Sequence, residues 1–199
     1  DVFTKGGPEP VLVTVFFGAN DACNPKIMER QHVPLDKYKS NLKKILQHIA
    51  SVYEKGGGTT RIVVITPPPV DVEARLKFQK EQYGDKALGV APRSMEWANM
   101  YAEAAASVAT ELKVPSLNLC KLMTAGNKWK SYLNDGLHLS SEGNKFVFEA
   151  LRDLIREEFP EISIKNSGGD SVCKGLPKHF PWHSEIDYKD PQSAFKKLT

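Results

Sequence analysis

Apolar positions along this chain follow two different rhythms. Val11-Leu12-Val13-Thr14-Val15-Phe16-Phe17 is almost unbroken in apolar, β-branched and aromatic residues, which predicts a strand buried on both faces of a parallel sheet. Arg61-Ile62-Val63-Val64-Ile65-Thr66 repeats the pattern and is stopped by Pro67-Pro68-Pro69, and a third strand is predicted from Val114 to Cys120, started by Pro115. Between these runs the spacing becomes helical. Leu35, Tyr38, Leu42, Ile45, Leu46, Ile49 and Val52 share one face, with Lys37, Lys39, Lys43 and Lys44 off it. Pro34 suits the first helical position and Gly56-Gly57-Gly58 ends the helix. Ser94 is a candidate N-cap for a second helix through Met95, Ala98, Ala102, Ala105, Val108, Ala109 and Leu112. Ser140 or Ser141 caps a third, whose apolar set is Phe146, Val147, Ala150, Leu151, Leu154 and Ile155.

Strands that alternate with helices imply an α/β fold with a parallel sheet and right-handed crossovers. Three strands are few for a sheet that needs both faces covered, so part of the sheet is expected to be missing. Residues 22–33 read as loop, residues 70–91 as a charged, irregular surface excursion or partial lid, and residues 121–134 as irregular. From residue 160 the character changes to glycines, prolines and scattered aromatics. The expectation is one domain over residues 1–159 and an extended tail over 160–199 lying on the same domain.

Composition narrows the function classes. Net charge is +3 with no long run of lysine or arginine, so nucleic acid is not implied as a partner. No apolar run is long enough to span a membrane. Cys23, Cys120 and Cys173 are too widely spaced for a zinc pattern or a disulfide framework, and no N-x-S/T sequon occurs. Both features lean toward a reducing compartment, and a cytoplasmic location is the expectation. The chain starts with Asp1, so its true N-terminus is expected to lie elsewhere. Neither a metal nor an organic cofactor is indicated.

Two stretches carry candidate chemistry. The first predicted strand runs straight into Gly18-Ala19-Asn20-Asp21, and the carboxyl end of a strand is the usual place for a site in an open α/β sheet. Far downstream, Asp135-Gly136-Leu137-His138 puts a carboxylate and an imidazole three residues apart before the last helix. An aspartate so placed orients the histidine and stabilises its imidazolium, leaving the histidine to act as a general base. The bland readings are a strand-end turn for Asn20-Asp21, an Asn-Asp-Gly turn string, and a packing role for His138. Cys23, beside the first stretch, reads as a small buried residue rather than a nucleophile.

Taken together, these stretches resemble the third and fifth sequence blocks of the SGNH (GDSL) esterases. Val15 to Cys23, Gln31-His32-Val33-Pro34-Leu35, Ile65-Thr66-Pro67-Pro68-Pro69 and Asp135-Gly136-Leu137-His138-Leu139 are similar to the isoamyl-acetate-hydrolysing esterase branch, particularly its plant members. The resemblance covers about residues 10–158 and implies a three-layer, flavodoxin-like SGNH hydrolase fold. It implies a carboxylic ester hydrolase acting on small acetate-type or lipid esters through Ser-His-Asp acyl-enzyme chemistry. His138 would be the base and Asp135 its orienting partner. Asn20 would donate its amide to the oxyanion, a contribution of about 3–4 kcal/mol to the barrier. Gly18 would give Asn20 room, and Asp21 would brace the loop through hydrogen bonds.

The same resemblance exposes a gap. The family's nucleophilic serine lies in a Gly-Asp-Ser string at the end of its first strand, and a second block supplies a glycine oxyanion donor. The 17 residues before Gly18 contain no serine. The expectation is an N-terminally truncated chain without its nucleophile block, inactive by itself. Gly169-Asp170-Ser171 spells the motif after the histidine, in reversed order and behind Lys165-Asn166-Ser167-Gly168. It reads as a loop tripeptide, with a circularly permuted nucleophile as the disfavoured alternative. A different class of function stays open, a non-catalytic product that binds a partner or ligand without turnover. The oligomeric state is not legible, although an uncovered sheet edge favours association.

Overall fold

A computed structural model describes residues 10–54 and 60–162. The predicted features at residues 1–9, Gly56-Gly57-Gly58 and 163–199, including Cys173 and Gly169-Asp170-Ser171, lie outside the described residues.

The order is β1 (Leu12–Phe16), α1 (Leu35–Glu54), β2 (Arg61–Ile65), α2 (Val72–Tyr83), α3 (Met95–Glu111), β3 (Ser116–Leu117), α4 (Leu119–Thr124) and α5 (Ser141–Glu158). Short 3-10 turns stand at Gly84–Lys86 and Trp129–Tyr132. The three strands form a parallel sheet in the order β1-β2-β3, with Val15 opposite Val64 and Ile65 opposite Leu117. This is the expected α/β class.

Alternation along β2 separates two cores, because successive side chains point to opposite faces. Ile62 and Val64 face Tyr38, Leu42, Leu46 and Ile49 of α1 and Tyr101, Ala105, Val108 and Ala109 of α3. The alanines of α3 let it lie close to the sheet; Ala102, Ala105 and Ala109 are fully buried. Val63 and Ile65 face Leu119 and Met123 of α4, and Phe146, Val147, Leu151 and Leu154 of α5 pack behind them. The result is three layers, helix, sheet, helix. Each fully buried aliphatic side chain in β2 contributes about 1.5–3 kcal/mol.

Several expectations are corrected. Residues 72–83 are helical rather than irregular: the Asp71 carboxylate accepts from the Ala74 N–H, and Gly84 ends the helix. This helix buries only Gln79, so it has no apolar stripe to announce it. The third strand is two residues long because Asn118 accepts from the Lys121 N–H and starts α4 at Leu119. Residues 121–134 accordingly hold the rest of α4 and a 3-10 turn. Pro34 precedes the first helical residue, and its carbonyl accepts from Tyr38 N–H at 2.8 Å. Strand β1 is not buried on both faces. Only Val15 is buried, while Phe16 and the following Phe17 are 40% and 58% exposed.

Candidate functional site

Both candidate stretches lie beside the segment that leaves the carboxyl end of β2. Thr66 through Asp71 is buried throughout. The Thr66 hydroxyl accepts from Leu119 N–H at 3.0 Å, tying this segment to α4. Gly18 lies against its Pro67 end and Gly136 against its Asp71 end.

The downstream stretch is a closed loop. Leu133 and Leu139 form an antiparallel bridge, Asn134 N–H donates to His138 O at 2.8 Å, and Ser140 N–H donates to Tyr132 O at 2.9 Å. Inside it, Asp135 is 6% exposed. Its Oδ1 accepts from the N–H groups of Leu137 at 3.0 Å and His138 at 2.8 Å. Its Oδ2 lies 2.9 Å from His138 Nδ1 and also pairs with the Arg75 guanidinium from α2. A carboxylate only accepts, so this geometry places the proton on Nδ1 and leaves Nε2 its lone pair. The His138 side chain is 72% exposed, which is not how a packing residue sits. Gly136 turns the loop at φ +79°. A Cβ there would meet Asp71 O at 2.4 Å and Arg75 N at 2.5 Å, so α2 starts directly on this turn. Asp71 N–H donates to Gly136 O at 2.9 Å.

Burial by itself would raise the Asp135 pKa, but the His138 backbone N–H, its ring and the Leu137 N–H outweigh that and hold the carboxyl below its ordinary range. Its contribution to stability is complete above the unfolded pKa of about 4 and is lost as pH falls through the lower folded value. Urea midpoints are expected to drop below about pH 4 in the wild type, and to drop less in Asp135→Asn.

The upstream stretch is held from one side by an arginine that sequence reasoning missed. Gly18 has φ +114°, and a Cβ there would meet Tyr38 Oη at 2.6 Å and Pro67 Cγ at 3.0 Å. Arg93, just before α3 and 9% exposed, donates from Nε to Ala19 O at 2.9 Å. Its second terminal nitrogen reaches Asn20 Oδ1 at 2.8 Å and Gln31 Oε1 at 2.6 Å. Asn20 itself is exposed. The hydrogen-bonding brace expected from Asp21 comes instead from Arg93; among the described residues the Asp21 carboxylate makes no hydrogen bond or ion pair. Cys23 is fully buried, and burial pushes its thiol up despite the nearby Arg93 charge, so it stays protonated near neutrality. Burial also pushes the Tyr101 hydroxyl up to about 12, and Tyr101 donates to Val33 O in the wall behind this loop. Burial lowers the Arg93 pKa, and the Arg75 charge adds to that lowering.

Among the described residues no three His, Cys, Asp or Glu side chains converge as a metal site requires. No helix among them is long and apolar enough to cross a membrane.

Residues 4–151 match the family described as GDSL-like Lipase/Acylhydrolase. A GDSL esterase/lipase of Arabidopsis thaliana is 40% identical over 98% of this chain and 76% of its own length. The isoamyl acetate-hydrolyzing esterase 1 homolog of Bos taurus is 39% identical over 79% of this chain and 61% of its own length. Among solved structures, the lipase/acylhydrolase from Enterococcus faecalis superimposes with a TM-score of 0.57 at 23% identity. That match covers 75% of this chain and 63% of the bacterial one, so the chain spans less than two thirds of the structure it resembles.

Proposed function

We propose that this chain, which belongs to the GDSL-like lipase/acylhydrolase family, carries the base and oxyanion elements of a carboxylic ester hydrolase. In this reading His138 takes a proton through Nε2 from a serine hydroxyl as it attacks an ester carbonyl, and returns it to the leaving alcohol. Asp135 keeps the Nδ1–H tautomer and stabilises the imidazolium. Asn20 donates its amide to the oxyanion, with Gly18 giving its turn room. The substrates are small acetate-type or lipid esters, a reading supported by likeness to proteins named as isoamyl acetate-hydrolyzing esterases. The observation that carries the proposal is the buried Asp135 carboxylate 2.9 Å from Nδ1 of an exposed His138. A reducing compartment, the cytoplasm, belongs to the same proposal; Cys23 and Cys120 are buried and unpaired.

In the same reading these 199 residues, with no serine before Gly18, do not turn over ester by themselves. Hydrolysis of p-nitrophenyl acetate is expected to be equal for the wild type and His138→Ala. A histidine-dependent rate abolished by Ser171→Ala would overturn this part in favour of a permuted nucleophile.

A second reading, binding without turnover, is favoured by one observation. Phe17, Asp21, Tyr38, Asn41, Leu42 and Ile45 line a groove of about 220 Å³ between the turn after β1 and α1. Exposed Val11, Phe16, Phe17 and Ile45 make that side apolar.

A further inference from the structure

We propose that Arg93 is a positioning residue for the Asn20 amide; the inference rests on the reading of Asn20 as the oxyanion donor. A guanidinium has five donors and no acceptor, so the group it meets on Asn20 is the carbonyl oxygen. This fixes which way round the carboxamide stands. Oδ1 is engaged by Arg93 at 2.8 Å, and among the described residues the NH₂ donors are unspent. An oxyanion donor has to be held in that state before charge develops, since preorganised donors cost no rearrangement in the transition state.

Arg93 is itself fixed from three directions. The planar group spans Ala19 O from Nε, and Asn20 Oδ1 and Gln31 Oε1 from one terminal nitrogen. The backbone next to it is anchored by Asn24 N–H donating to Pro92 O at 2.8 Å, and by the Ser94 hydroxyl accepting from Trp97 N–H at 3.3 Å. All of its acceptors are neutral, and among the described residues no carboxylate forms an ion pair with it. A buried cation without a counter-charge is costly. Here the charge sits behind the amide that would face an oxyanion, where it polarises the donor and favours negative charge beyond it. Lysine, a point charge on a flexible stem, cannot reproduce the three-way fork.

The test needs no turnover and so separates this inference from the esterase reading. The full chain, labelled with ¹⁵N, is compared with Arg93→Lys, Arg93→Met and Gln31→Ala by side-chain amide relaxation, with thermal unfolding as the check on folding. In the wild type the Asn20 carboxamide is expected to be as rigid as the backbone around it. In Arg93→Met its order parameter is expected to fall below about 0.6, the flexible range, with Arg93→Lys recovering part of the loss and Gln31→Ala close to wild type. Should Arg93→Met fail to fold, Arg93→Lys against Gln31→Ala carries the comparison. An Asn20 amide equally rigid and unshifted in the folded Arg93 variants would overturn the inference. An esterase reading that failed elsewhere would leave these relaxation results as they are.

Discussion

Replacing Gly136 with alanine is expected to destabilise the folded chain by about 2–5 kcal/mol, the sum of left-handed backbone strain and overpacking. Its φ of +79° is one an L-residue adopts at a cost, and the new methyl would have to occupy space held by Asp71 O and Arg75 N. Those atoms are backbone at the start of α2, so no side-chain rotation relieves the contact. The turn would have to lift away from α2, breaking the Asp71–Gly136 hydrogen bond and loosening the Arg75–Asp135 pair. Gly84→Ala is the control. That residue also has positive φ, but nothing lies within 4 Å of its Cβ position. Its expected cost is the backbone strain alone, about 1–3 kcal/mol. Urea unfolding checks both, with midpoints shifted and slopes unchanged.

Asp135→Ala is expected to cost about 3–5 kcal/mol, the range for removing one partner of a buried ion pair. The carboxylate serves two backbone N–H groups, the His138 ring and the Arg75 guanidinium. With Asp135 gone, the Arg75 side chain, 16% exposed, keeps its charge without that partner. Asp135→Asn separates shape from charge. Its amide oxygen can still accept from the turn N–H groups, so most of the loop is expected to survive while the histidine loses its anionic partner. A loss in Asp135→Asn as large as in Asp135→Ala would mean that the ion pair, rather than the turn, holds this loop.

The fold was legible wherever one pattern ran long enough to dominate. The β2 run, the α1 stripe and the alanine-rich α3 face each appear in the core where the spacing puts them. Helix α2 was hidden because it is half-exposed and carries charges on most sides; its clearest signal was Asp71 as a cap. The third strand was overread because apolar Leu117, Leu119 and Cys120 are buried in a strand end and in a short helix alike, and Asn118 makes the switch. In the site, Asp135 and His138 are three residues apart, so their contact could be anticipated from a turn. Arg75 and Arg93 reach partners 60 and 73 residues away. Nothing local distinguishes such an arginine from one on a solvated surface, so the two residues that hold the halves of the site were not visible in the sequence.

As the proposed base, His138 needs its proton on Nδ1 and its lone pair on Nε2. The most direct measurement is the ¹⁵N spectrum of its ring at a pH where the imidazole is neutral. A protonated Nδ1 and a bare Nε2 are expected in the wild type, with that preference lost in Asp135→Asn. A wild-type ring carrying its proton on Nε2 would contradict that role.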